Sequence, residues 1–140
     1  MEEAPGAEDR GRGVRVELEA RHIERVHDEE VAVHARSAGW HWSLANLPAS
    51  VTSLEAGAGG PGGPPLPDGA LVLRNEEGWP GFVGAGPPRG TGVHRYLFVV
   101  HALDVPGLEL DADASPAVLG ARCFFHAVGR GILTGTATRD

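Results

Sequence analysis

Two histidines, an arginine and a tyrosine are spaced so that they could bind an anion. His41 lies between two tryptophans in WHWSLANL, and His94, Arg95 and Tyr96 open the apolar run LFVVHAL directly after GAGPPRGTGV. Imidazoles, a phenol hydroxyl and main-chain N–H groups can neutralise a phosphate or carboxylate without much net positive charge. Glycines let backbone approach a ligand closely, and prolines fix a loop's shape. The same residues have a plainer reading, in which His94 and Arg95 satisfy loop carbonyls in the core. A buried arginine then demands a carboxylate or several carbonyls. On an alternating strand His41 points opposite to Trp40 and Trp42, so it faces outward or into a cleft if the tryptophans face the core. Two histidines and a tyrosine could also do acid–base chemistry. No nucleophile–base pair is legible, however, and no G-x-G-x-x-G, P-loop or G-x-S-x-G pattern occurs, so the chain is not expected to be an enzyme.

The elements that must position these residues lie in the second part of the chain. Residues 1–37 hold sixteen charges, ten acidic and six arginine, and no aromatic residue. All three Trp, all four Phe and the single Tyr come later, so residues 40–135 must supply most of the core. This divides the chain into a charged, divergent or disordered segment, 1–38, and a domain, 39–140. Within the first segment VRVEL alternates like a short strand, and IERVHDEEVAV could be helix or strand. His22, His27 and His34 place no clean pair on one helix face and read as solvated, not as metal ligands.

Beyond it, WHWSLANL reads as a strand ended by Pro48, and ALVLRN alternates as another. EAGAGGPGGPPLPDG is too rich in Gly and Pro for regular structure and looks disordered. HRYLFVVHALDV is the clearest strand, apolar on both faces and hence central and doubly covered. Ser115 suits a helix N-cap and Pro116 the first helical position. Val118, Leu119, Cys123, Phe124 and Phe125 give that helix its apolar stripe, Gly129 or Gly131 ends it, and ILTGTAT is a closing strand. The chain is therefore mostly β, with long Gly/Pro loops and one C-terminal helix.

Composition excludes other classes. A net charge of −7, from 12 arginines against 19 acidic residues, argues against a nucleic-acid partner. No stretch approaches the roughly 20 apolar residues of a membrane span, the start lacks a signal-peptide pattern, and a cytoplasmic protein is expected. The single cysteine, Cys123, reads as a buried thiol in an apolar segment; no Cys/His zinc spacing is present and no metal is expected.

GPPRGTGVHRYLFVVHALD resembles the signature of the phosphatidylethanolamine-binding protein family, also called Raf kinase inhibitor-like proteins. WHWSLANLPASVTSL looks like the family's Trp-His-Trp strand and the Asn-hydrophobic-Pro turn after it. LPDGALVLRNEEG looks like the segment carrying an Asn before the pocket loop, and DASPAVLGARCFFHAVGRGILTGT is similar to the last helix and strand of the bacterial branch. The resemblance covers about residues 39–137. It implies packed β-sheets with peripheral helices, no cofactor, and a small anion pocket at one end of the sheets. His41, Gly86, Pro87, Pro88, His94 and Tyr96 would line that pocket. Trp42 and Arg95 would be structural, Arg95 through a buried ion pair.

The implied function is binding of a phosphate-like anion or phospholipid headgroup, in a regulatory role. Alternatives are inhibition of a kinase or protease through surface loops such as EAGAGGPGGPPLPDG, or a truncated or frame-shifted copy with impaired binding. The family's Asp-Pro-Asp-x-Pro segment is missing: HDEEVAVHARSAG stands in its place, and residues 1–38 resemble nothing in the family. Without that acidic wall and the family's first strands, marginal stability and weakened or absent ligand binding are expected, with open sheet edges.

Overall fold

The computed structural model describes residues 16–17, 31–36, 39–82 and 84–140. Strands dominate. In chain order they are β1 (Val16–Glu17), β2 (Val31–Arg36), β3 (Trp40–Leu47), β4 (Ser53–Leu54), β5 (Leu71–Leu73), β6 (His94–Leu103) and β7 (Ala127–Ala137), with one helix, α1 (Pro116–His126), between the last two. β1 and β4 form a two-stranded sheet, and the others form an antiparallel sheet ordered β5-β3-β2-β6-β7. No helix among the described residues is long and apolar enough to cross a membrane.

β2 is the middle strand of the larger sheet, with Ala35 pairing both Trp42 and Phe98. The sheet therefore reaches across the boundary drawn at residue 38. The open question over IERVHDEEVAV is answered for its last residues, which are strand; His22 and His27 lie outside the described residues, and His34 sits in β2 opposite Ser43 and Val99.

Alternation sorts the large side chains onto two faces. Trp42, Leu44, Leu47, Tyr96 and Phe98 bury one face together with Leu54 and Ala58. On the other, Ala45, Leu73, Leu103 and Leu108 pack under Leu119 and Cys123 of α1. Burial pushes the Cys123 thiol up to about 11, so it is an inert core group, as its neighbours in sequence suggested. Only the second half of β6 is covered on both faces. Leu97, on the helix side, is 37 % exposed, whereas Leu103 on the same strand is buried under Leu119 and Cys123 of α1.

Ser115 caps α1, its hydroxyl accepting from the Val118 N–H, and Pro116 occupies the first turn as expected. The helix ends at His126, three residues before the first expected glycine. The cause is the long free edge of β6, which captures the chain from Ala127 onward, pairing Ala127 with Leu103 and Ala137 with His94. Nor is the Gly/Pro-rich segment 55–69 shapeless. Successive turns close through Glu55, Gly57 and Gly60 carbonyls, and Ala58 is buried in the first core cluster. Gly81, at φ 97°, lies so close to Gly60 that a Cβ there would stand 2.5 Å from its Cα, which docks these turns on the loop leading to Pro87.

Asn46 is the one non-glycine residue with positive φ among the described residues, at 56°. It sits at a register shift between β2 and β3. Its carboxamide bonds both main-chain groups of Leu108, accepting from N–H at 2.9 Å and donating to C=O at 3.1 Å. This ties the chain after β6 to the end of β3. Asn46→Ala is expected to cost about 3 kcal/mol in urea denaturation, from two lost bonds and a left-handed backbone that alanine tolerates poorly. Asn46→Gly, which relieves only the backbone, should cost about 1 kcal/mol less.

Candidate functional site

β3 and β6 flank β2, each antiparallel to it, so they run in the same direction. Their first residues therefore lie at one end of the sheet, and this brings His41 and His94 to the same end from distant parts of the sequence. Tyr96, two residues beyond His94, shares its face and is 4 % exposed.

His41 is not where alternation puts it. Arg36 pairs with Trp40 while Ala35 pairs with Trp42, so β3 carries one extra residue at this point. A bulge of this kind turns a side chain to the other face. Trp42 enters the core beside Tyr96 and Phe98. Trp40 goes to the opposite side, where a Cβ on Gly120 of α1 would stand 3.3 Å from its ring. His41 packs edge-on against the Tyr96 ring, centroids 5.1 Å apart and planes at 66°. The expectation that His41 opposes both tryptophans fails for this reason, and the bulge places the imidazole over the tyrosine.

The loop 84–92 forms the adjoining rim. Pro87 is buried, whereas Gly86 and Pro88 are exposed. Prolines carry no N–H, so this rim supplies shape and carbonyls more than main-chain donors. Thr91, outside the expected set, joins the rim to the strand. Its Oγ1 donates to the Pro88 carbonyl at 2.7 Å and lies 2.7 Å from His94 Nε2. With its only proton committed, the hydroxyl accepts from Nε2–H, which assigns the tautomer of the half-buried His94. The loop is also fastened to the chain's last residues, Gly90 N–H donating to the Arg139 carbonyl and the Arg89 guanidinium to that of Asp140.

Arg95 does not join this group. It is exposed, and among the described residues no carboxylate pairs with it, in place of the buried ion pair the resemblance implied. Neighbouring Tyr96 takes the core face, and alternation sends Arg95 to the other, where α1 does not reach. A second residue that side-chain chemistry alone did not single out is Asn75, 5 % exposed in the turn after β5. Its Oδ1 accepts from Glu77 and Trp79 N–H, both at 3.0 Å, and its Nδ2 donates to the His41 carbonyl at 3.4 Å. The signal for it was an asparagine three residues before a glycine, the pattern of a side chain that caps its own turn. Among the described residues no group of three or more His, Cys, Asp or Glu side chains could hold a metal.

Comparison with known proteins identifies the family. The chain is 42% identical over 98 residues to the UPF0098 protein YbhB of Escherichia coli, covering 70% of this chain and 61% of that protein. With YbcL of the same organism identity is 44% over 84 residues, 60% of this chain and 46% of that one. The chain thus spans about half to three fifths of these relatives' lengths. Its fold superimposes on the crystal structure of E. coli YbcL with a TM-score of 0.71 and 33% identity, over 81% of this chain and 72% of that one. The family model for phosphatidylethanolamine-binding proteins matches residues 25–138, beginning well before residue 39, where the resemblance in sequence was first legible. The chain belongs to the phosphatidylethanolamine-binding protein family.

Proposed function

We propose that the protein binds a small phosphate-like anion, free or carried as a lipid headgroup, at the end of the sheet where His41, His94 and Tyr96 meet the Gly86–Pro88 rim, and that it acts by binding and not by catalysis. The observation that carries this reading is the hydrogen-bonded run Pro88 carbonyl, Thr91 hydroxyl, His94 Nε2, with both contacts of the hydroxyl at 2.7 Å. It holds the His94 ring through one nitrogen and leaves Nδ1 for a ligand. A protonated imidazole there is both donor and positive charge, the pairing an anion needs. His41, held against Tyr96, supplies a second ring from β3, which runs in the same direction as β6 on the far side of β2. The sequence has no Asp-Pro-Asp segment to add an acidic wall, so affinity in the millimolar range is expected.

Inorganic phosphate is the probe. At 20 mM it should raise the thermal midpoint by about 3 °C over chloride of equal ionic strength, the shift for a dissociation constant of a few millimolar. His94→Ala should abolish the shift. Thr91→Val, at an exposed position, should change stability by about 0.5 kcal/mol or less while weakening phosphate several-fold. Equal phosphate shifts in the wild type and His94→Ala would sink the reading.

A further inference from the structure

We infer that Asn75 is a positioning residue for this site: its carboxamide sets where His41 stands over Tyr96. The inference rests on the anion-binding reading for its consequence, but its geometry is independent of any ligand. His41 sits on a bulge, where the regular ladder that would otherwise hold its backbone is interrupted. The turn 75–79 adds a hold of its own. Within that turn, Asn75 N–H donates to the Trp79 carbonyl and Gly78 N–H to the Asn75 carbonyl, both at 2.9 Å, and Asn75 Oδ1 takes the Glu77 and Trp79 N–H groups. One side chain therefore satisfies two donors and stiffens the turn from inside.

The stiffened turn grips the start of β3 at consecutive residues. Glu76 N–H donates to the Trp40 carbonyl at 3.2 Å, and Asn75 Nδ2 donates to the His41 carbonyl at 3.4 Å. The Glu76 carboxylate lies against the Cα of Gly39, where a Cβ would collide with it. Three neighbouring residues, 39 to 41, are thus held from one turn, and the carboxamide is the part of that turn that is buried. An asparagine fits because the position needs an acceptor on one atom and a donor on the other; aspartate provides only the first.

The test uses the whole chain and two readouts. In the wild type, proton NMR should show cross-relaxation between the His41 and Tyr96 rings. Asn75→Ala and Asn75→Asp should each lose or strongly weaken it while the amide spectrum keeps its dispersion. Aspartate retains both acceptor bonds, so it keeps the turn even if alanine does not fold. Phosphate affinity should fall about five-fold in each, of the order expected for one hydrogen bond. In a His41→Ala background the same Asn75 changes should cost no further affinity, because a residue acting through His41 has nothing left to position. Unaltered cross-relaxation in Asn75→Asp, or affinity losses that simply add, would overturn the inference. If the wild type binds no phosphate, the anion reading falls, and the ring contact alone decides the role of Asn75.

Discussion

Lowering the pH from 7 to 5 is expected to cost the protein about 2 kcal/mol of stability, read as a drop of roughly 6–8 °C in thermal midpoint. The group responsible is His101, on the helix-facing side of β6 and 6 % exposed. Burial, with a smaller contribution from the Arg130 guanidinium of the paired residue on β7, lowers its pKa from 6.5 to about 4. The unfolded chain therefore takes up a proton on this ring before the folded one does. His101 contributes nothing adverse above pH 6.5, and stability is lost as pH falls from 6.5 through about 4. Each unit in that window is worth about 1.4 kcal/mol, up to a limit of roughly 3 kcal/mol or slightly more. Carboxylates begin to titrate near pH 4, so the interval from 7 to 5 belongs mainly to the histidine. Measured in His101→Gln, the slope between pH 7 and 5 should flatten. A slope as steep as the wild type's would assign the acid sensitivity elsewhere.

The strand bearing His101 was the most legible element in the sequence, and the reason separates what can be read locally from what cannot. An apolar run of this length between a Gly/Pro loop and a polar segment has few alternatives to a buried strand. Likewise Ser115 and Pro116 specify a helix start through groups within four residues. The face taken by His41 depends on where β2 pairs, and β2 comes from a charged stretch with no clear periodicity. The bulge is a property of the pair of strands and leaves no mark in WHW itself. The exposure of Arg95 is similar: arginine at a strand start is compatible with either face, and only the footprint of α1 decides. The end of α1 was misplaced because Gly129 and Gly131 signal a stop in isolation, whereas the free edge of β6 competes for the same residues earlier.

The site residues divide along the same line. His41, His94, Tyr96 and the Gly-Pro-Pro rim were visible by type, and the family resemblance supplied their common destination. Thr91 was not, and Asn75 was marked only by the resemblance, as the asparagine before the pocket loop, because a threonine in a loop and an asparagine in a turn have many ordinary uses. Their importance comes from what they touch, a carbonyl and an imidazole for one, two turn amides and a strand carbonyl for the other.

The largest effect of a core truncation is expected from Leu119→Ala. The buried side chains of helix α1 are Pro116, Leu119 and Cys123, spaced along one face, while Phe124 and Phe125 point outward at 81 % and 76 % exposure. Leu119 is fully buried against Ala45, Leu73, Leu103 and Leu108. Truncating it removes buried methyls and leaves a cavity that sheet side chains cannot fill without breaking register, a loss of about 3 kcal/mol and on the order of 10 °C. Phe124→Ala, on the same helix, should change stability by about 0.5 kcal/mol or less, which separates loss of packing from loss of helix propensity. The effect should also reach the site. Trp40 rests on Gly120 of α1 and is the residue before His41, so a loosened helix withdraws the support behind the bulge. Phosphate affinity should therefore fall in Leu119→Ala at a temperature where the variant is still folded, and stay at the wild-type value in Phe124→Ala. Wild-type affinity in a folded Leu119→Ala would show that the turn 75–79 holds His41 without help from the helix.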